Sequence, residues 1–350
     1  MRQMLMRKLN PELSGEFVEV NEVDKPRATG PFDVVIKISA SGVCRTDLHL
    51  ISGLLPAGLP HVLGHENAGI VEETGLLVTT VSKGDSVICF PFVSNGLTRT
   101  ERQGLDTNAP NRITPGINAP GGYAEYLLTN ERALIKVADD SDLCELATLT
   151  DAGLAAYRAC KRASKILEVG DTAIVIGIGG LGHLALQILR SISAAKIIAV
   201  DNKSDALIFA KTLGIGHTCS ANELTGLFHG QAKVVLDFVG TSATSADALK
   251  CLAFGGTYLV IGAEGFVTAT MLDLIENEKR IEGIYVGTYS ELQEVTHLAT
   301  SGELRPHVQK YALEDANQAL NDLLYGKITG RAVLIPQVSL ALTLILALIK

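Results

Sequence analysis

Short runs of β-favouring residues, each bounded by Gly, Pro or Asp, mark the first part of the chain: Asp33–Ile38 (DVVIKI), Ala68–Val71 and Ser86–Phe90. The texture changes from about Ala152. Ala173–Ile176, Lys196–Val200, Val234–Phe238 and Thr257–Ile261 are continuous apolar, β-branched runs suited to parallel strands covered on both faces. Helical stretches lie between them, among them Leu181–Ser191 and Ser204–Leu213. This alternation predicts a doubly wound sheet. From about Tyr289 the chain returns to helix–strand material that fits neither half alone. Ser94 to Pro120 is a long polar excursion from the first domain. After Pro336 comes QVSLALTLILALIK, uncharged until Lys350 and shorter than the roughly 20 residues that span a bilayer. It reads as a buried strand or an oligomer contact, with membrane association or a sequence artefact as the alternatives.

Length narrows the architecture further. At 350 residues the chain calls for two domains. Hydrophobic residues at 47% against charged ones at 19% supply a sizeable core, and a formal net charge of −8 gives no reason to expect nucleic acid or an anionic membrane as partner. Arg2, Arg7 and Lys8 have no apolar run behind them, so the start does not read as a signal peptide. The six cysteines are scattered without a C-x-x-C pair, which favours a reduced, cytoplasmic protein.

The strand at Ala173–Ile176 runs into Gly177-Ile178-Gly179-Gly180-Leu181-Gly182, a G-x-G-x-x-G at a strand-to-helix turn. The first glycine allows the turn, the second lets backbone approach a pyrophosphate, and the third lets helix and strand pack closely. A second strand follows and ends at Asp201, close to the expected roughly 20 positions beyond the motif. A carboxylate there can accept from both adenosine ribose hydroxyls and would repel a 2′-phosphate, so the constellation points to NAD. Lys203 is the one neighbour that could soften the preference against NADP. Singly, these residues are also ordinary turn glycines and a turn aspartate.

Gly42-Val43-Cys44-Arg45-Thr46-Asp47-Leu48-His49 and Gly64-His65-Glu66 stand in order with Val81–Val87 (VSKGDSV), Gly121–Tyr126 (GGYAEY), the glycine motif and Gly330-Arg331-Ala332-Val333. Together they resemble the zinc-containing alcohol dehydrogenases of the medium-chain superfamily over most of the chain. The resemblance implies an α/β protein with a GroES-like, β-rich catalytic domain (1–152 and 290–350) and a Rossmann NAD-binding domain (153–289). It implies a homo-oligomer, a tetramer rather than a dimer, acting on a small alcohol or carbonyl compound. By the same resemblance Cys44, His65 and Asp151 hold one catalytic zinc per chain, Asp151 standing where many members carry cysteine. Zinc accepts sulfur, nitrogen and oxygen donors, and three protein ligands leave a position open for substrate. Glu66 would support the site or bind transiently. Thr46 and His49 would pass the proton outward, and Arg331 would meet the cofactor's phosphates. Read alone, Cys44 is an inert buried cysteine, His65 a core histidine, Asp151 a helix N-cap and His49 a surface histidine.

The chain departs from the family where many members hold a second, structural zinc on four cysteines. Asn95, Thr98, Glu101 and Ala109 occupy those positions. No structural zinc is therefore expected, and hydrogen bonds and packing must hold the Ser94–Pro120 lobe. Two other readings remain: a zinc-free quinone or enoyl reductase of the same superfamily, and a non-catalytic NAD-binding protein. Cys44 and His65 weigh against the first, the full ligand set with Thr46 and His49 against the second.

Overall fold

The computed structural model describes residues 1–336. The apolar tail, expected to form a strand or an oligomer contact, lies outside the described residues. Two compact units divide the chain. Among the described residues the first comprises Met1–Asp151, Thr288–Gln293 and 307–336, and the second comprises Ala152–Gly287 with Glu294–Pro306.

In the first unit the long strand Asp33–Val43 is the organiser. It pairs antiparallel with Glu66–Thr74 along one side, and with Tyr126–Asn130 and Arg331–Ile335 along the other. Ser86–Cys89 and Leu134–Lys136 extend the sheet beyond Glu66–Thr74, and Val308–Ala312 extends it beyond Arg331–Ile335. A smaller three-stranded sheet joins Glu19–Glu22, Arg2–Met6 and His61–Val62. The helix Arg45–Ser52 leaves the end of the long strand and buries Leu48, Leu50 and Ile51 in a core with Met4, Met6, Val62, Leu63 and Leu334. Each such side chain contributes about 1.5–3 kcal/mol of burial, which seats the helix firmly. Gly53, at φ 80°, ends it in the left-handed conformation that a side chain would resist.

The second unit is a six-stranded sheet in which every pairing is parallel. Its spatial order is His217–Cys219, Lys196–Val200, Thr172–Ile176, Ala232–Asp237, Leu252–Val260, Arg280–Gly283. Numbered within the unit this is 3-2-1-4-5-6, the order of a dinucleotide-binding fold, with the switch point beside Thr172–Ile176. The α/β, doubly wound expectation holds, and the expected strands and helices appear with ends shifted by a few residues.

Candidate active site

Cys44 follows the long strand and caps the helix Arg45–Ser52, and His65 immediately precedes Glu66, the first residue of the strand beside it. Asp151 lies in a single π-helical turn, Leu149–Gly153, between the helices Leu143–Ala147 and Leu154–Ser164. Such turns widen a helix and are frequent at functional sites. The helix after Asp151 starts only at Leu154, behind Gly153, so Asp151 is not its cap residue. Its carboxylate instead turns toward the other two residues. Asp151 Oδ2 is 3.5 Å from His65 Nε2 and 3.8 Å from Cys44 Sγ. With Glu66, one donor atom from each of the four residues lies within 4.8 Å of the rest.

The donors fit a zinc ion. Ligands bound at about 2.0–2.3 Å in a tetrahedron sit roughly 3.3–3.8 Å from one another, and the separations of Asp151 from His65 (3.5 Å) and from Cys44 (3.8 Å) fall in that range. Both ring nitrogens of His65 and Glu66 Oε2 are buried without a hydrogen-bond partner. Leaving buried polar atoms unsatisfied costs about 1–3 kcal/mol each, and coordination removes that cost. Burial opposes a charged His65, but the negative charge of Asp47 and the Asp151 carboxylate outweigh it and raise its pKa well above the ordinary value. Burial also presses Asp151 upward, and its contact with His65 more than offsets this, so its pKa falls. The metal-free cluster therefore holds a proton that a metal ion would displace.

Sequence reasoning missed the groups that aim these ligands. Asp47 is fully buried; its Oδ1 faces His65 Nδ1 at 3.5 Å, and its Oδ2 accepts the Cys44 N–H at 2.9 Å. Tyr123, also fully buried, donates its hydroxyl to the same Oδ2 at 2.9 Å. A carboxylate behind a ligating histidine fixes ring orientation and tautomer. Asn67 donates to the Gly64 carbonyl at 3.0 Å and accepts from Ser41 at 2.9 Å, which pins the turn carrying His65. Asp47 and Tyr123 both stand in segments quoted from the sequence, Asp47 three residues after Cys44 and Tyr123 in GGYAEY, but nothing local showed that they meet.

Glu66 and Arg331 form a buried ion pair at 2.5 Å. Burial raises the Glu66 pKa to about 7, against the pull of Arg331, while the negative charges around Arg331 keep it protonated. Arg331 was expected at the cofactor's phosphates; the structure places its guanidinium on Glu66, with 3% of the side chain exposed. Thr46 Oγ1 lies 3.6 Å from Cys44 Sγ, at the margin of the cluster. His49 is one turn further along the same helix and half-buried.

In the second unit the three glycines differ in the way the motif requires. Gly177 has φ 87°. A Cβ at Gly182 would lie 1.8 Å from the Gly177 carbonyl oxygen, whereas one at Gly179 would meet nothing within 4 Å. Backbone at Gly179 is thus open to an approaching phosphate, with Gly180 and Leu181 leading into the helix Gly182–Ile192. Asp201 Oδ2 accepts the Ile178 N–H at 2.7 Å and Oδ1 accepts the Lys203 N–H at 2.9 Å. These bonds hold the carboxylate over the glycine turn and leave lone pairs for hydroxyl donors.

The lobe is held without thiolates. Glu101, at one of the cysteine positions, accepts the N–H groups of Thr98 (2.7 Å) and Gly96 (3.1 Å). Asp106 accepts from Ser94 Oγ (2.5 Å) and Arg132 Nη2 (2.7 Å).

Residues 30–139 match the alcohol dehydrogenase GroES-like domain, and residues 180–301 match the zinc-binding dehydrogenase domain. The NAD-dependent alcohol dehydrogenase of Sulfurisphaera tokodaii is 34% identical over 341 residues, 92% of this chain and 97% of that protein. The chain belongs to the zinc-binding alcohol dehydrogenase family. The D-arabinose 1-dehydrogenase (NADP(+)) of Saccharolobus solfataricus is 33% identical to this dehydrogenase over 95% of the chain and 97% of its own. Among solved structures, the alcohol dehydrogenase of the hyperthermophilic archaeon Aeropyrum pernix superposes with a TM-score of 0.90 at 37% identity, covering 96% of the dehydrogenase and 100% of that chain. No helix among the described residues of the dehydrogenase is long and apolar enough to cross a membrane.

Proposed function

We propose that the chain moves a hydride between a small alcohol, or the matching aldehyde or ketone, and NAD, with one catalytic zinc per chain on Cys44, His65 and Asp151. The convergence of four donor residues on one buried point, with orphaned nitrogens and oxygen aimed at it, carries this reading. A zinc-free reductase has no use for such a cluster. Bound there, zinc supplies a Lewis acid that lowers the pKa of an alcohol hydroxyl. Asp47 and Tyr123 hold the ligands in place. Glu66, neutralised by Arg331, is the fourth donor in reserve. Thr46 at the cluster's margin and His49 one turn outward serve as successive proton carriers from a largely buried site.

Gly177, Gly179, Gly180, Leu181 and Gly182 cradle the pyrophosphate, and Asp201 selects NAD by taking the ribose hydroxyls, with Lys203 beside it. The lobe takes no second zinc, because the Glu101 carboxylate is spent on backbone N–H groups. Six free cysteines, five of them buried, suit a reducing cytoplasm. A homo-oligomer is favoured by the edge strand Arg280–Gly283, near which Phe266, Met271 and Ile275 are 82%, 80% and 72% exposed. That patch accounts for one interface, and the tetramer we favour over a dimer needs another.

Elemental analysis of the purified full chain should give one zinc per chain. Chelation should abolish alcohol-dependent NADH formation, and added zinc should restore it. Two tightly held zincs, or full turnover after complete metal removal, would overturn the assignment.

A further inference from the structure

The glycine turn of the second unit is held from two sides. Asp201, just past the neighbouring strand Lys196–Val200, accepts the Ile178 N–H at 2.7 Å. From the helix side comes a group outside the glycine motif. His183, second residue of the helix Gly182–Ile192, is fully buried, and its Nδ1 lies 2.9 Å from the Gly179 carbonyl oxygen. A carbonyl only accepts, so Nδ1 carries a proton and donates it. The same oxygen already takes the His183 backbone N–H at 3.2 Å. The ring is braced by Phe209 of the helix Ser204–Thr212, with ring centroids 5.8 Å apart.

The helix backbone alone satisfies that carbonyl, and an apolar side chain would fill the position without the cost of burying an imidazole. What the ring adds is orientation. Gly179 is exposed and a Cβ there would meet nothing within 4 Å, so steric contact does not fix it, and a second glycine follows. Two successive glycines leave the peptide plane between them the freest in the turn. His183 holds that plane by its oxygen. The Gly179–Gly180 peptide is trans, so its N–H points opposite to its C=O. With the oxygen drawn toward the helix, the Gly180 N–H points out of the helix's N-terminal end. Neither that N–H nor the N–H of Leu181 has a hydrogen-bond partner among the described residues. These are the donors that a phosphate takes at the start of a helix.

We propose that His183 is a positioning residue for the dinucleotide: its Nδ1–H locks the Gly179–Gly180 peptide with the Gly180 N–H turned toward the pyrophosphate. It acts through Gly180 and not by touching the cofactor, and this role rests on the NAD reading above.

Calorimetric titration of the full chain with ADP-ribose and with adenosine tests it, using replacements chosen by the ring nitrogen they imitate. His183→Asn places an amide N–H near Nδ1, His183→Gln places one near Nε2, out of reach of Gly179, and His183→Leu has none. ADP-ribose should bind His183→Leu and His183→Gln at least about 5-fold more weakly than wild type, the weight of one lost hydrogen bond. His183→Asn should stay within about 2-fold of wild type. Adenosine, which has no phosphate, should bind all four proteins alike. The contrast of Asn with Gln keeps the test decisive if His183→Leu does not fold. Wild-type affinity for ADP-ribose in His183→Gln, or an equal loss in His183→Asn, overturns the positioning role and leaves the NAD reading standing. Loss of ADP-ribose and adenosine together marks a histidine that only supports the fold, and also overturns it. A wild-type chain that binds neither compound would remove the NAD reading, and this role with it.

Discussion

In the proposed ligand set, a carboxylate at position 151 sets what the site can tolerate. Asp151 brings charge as well as a lone pair, and it sits in a π-helical turn that presents it to Cys44 and His65. Asp151→Asn keeps the shape and removes the charge, so zinc affinity should fall by at least about 10-fold while the fold survives. Asp151→Cys should retain zinc, since thiolate is an accepted donor. Competition with a chelator reads both variants, and full zinc retention in Asp151→Asn would remove Asp151 from the ligand set. Cys44 and His65 stand in short motifs, and Asp151 was reached only through the family resemblance; the structure brings the three together. The pairings among their supporting residues were not legible in the sequence. Tyr123 reaches Asp47 across 76 positions and Arg331 reaches Glu66 across 265, distances at which local spacing carries no information. Breaking the buried Glu66–Arg331 pair on one side would leave an uncompensated charge, at about 3–5 kcal/mol.

Strands and helices were read well where pattern alone decides them and poorly where neighbours do. The run DVVIKI predicted a strand ending at Ile38, yet it continues to Val43. Ser39-Ala40-Ser41-Gly42 are weak strand formers, held extended because Glu66–Ala68 pairs on one side and Ala332–Leu334 on the other. The Ser94–Pro120 excursion was rightly read as polar, but nothing in its sequence showed that Glu101 would gather N–H donors. The Thr98 hydroxyl, together with the N–H groups of Thr98 and Gly96, lowers the Glu101 pKa from 4.5 to about 2. A depressed carboxylate pKa gives stability that is complete above the unfolded value and lost as pH falls toward the folded one. Proteolytic cleavage within 94–120 should accordingly speed up as pH drops from about 4.5 toward 2. Glu101→Gln should open the lobe at neutral pH, where a chelator should leave the wild-type lobe closed. A Glu101→Gln lobe as resistant as wild type would show that packing alone holds it.

At the scale of the whole molecule, alternating apolar runs and helices were enough to anticipate a doubly wound sheet, and the 3-2-1-4-5-6 order follows from right-handed crossovers. Assembly was less legible, because interface residues have no period of their own. We propose that the exposed Phe266, Met271 and Ile275, together with the outermost strand Arg280–Gly283, form one contact between copies. Ile275→Arg together with Ile281→Arg should lower the mass measured by light scattering to half or less of the wild-type assembly. An unchanged mass would remove this face from the interface.

The bond between Glu66 and Arg331 also has a bearing on synthesis. Ribosomes add about 5–20 residues per second, so Glu66 waits roughly 10–50 s for its counter-ion. Over that interval the long strand Asp33–Val43 lacks its neighbour Arg331–Ile335, and Glu66 lacks the guanidinium it pairs with in the finished fold. Residues 152–287, continuous in sequence, need nothing from later in the chain to pair their six strands. Maturation thus runs against the direction of translation: the first unit, begun first, is completed only when Arg331–Ile335 arrives.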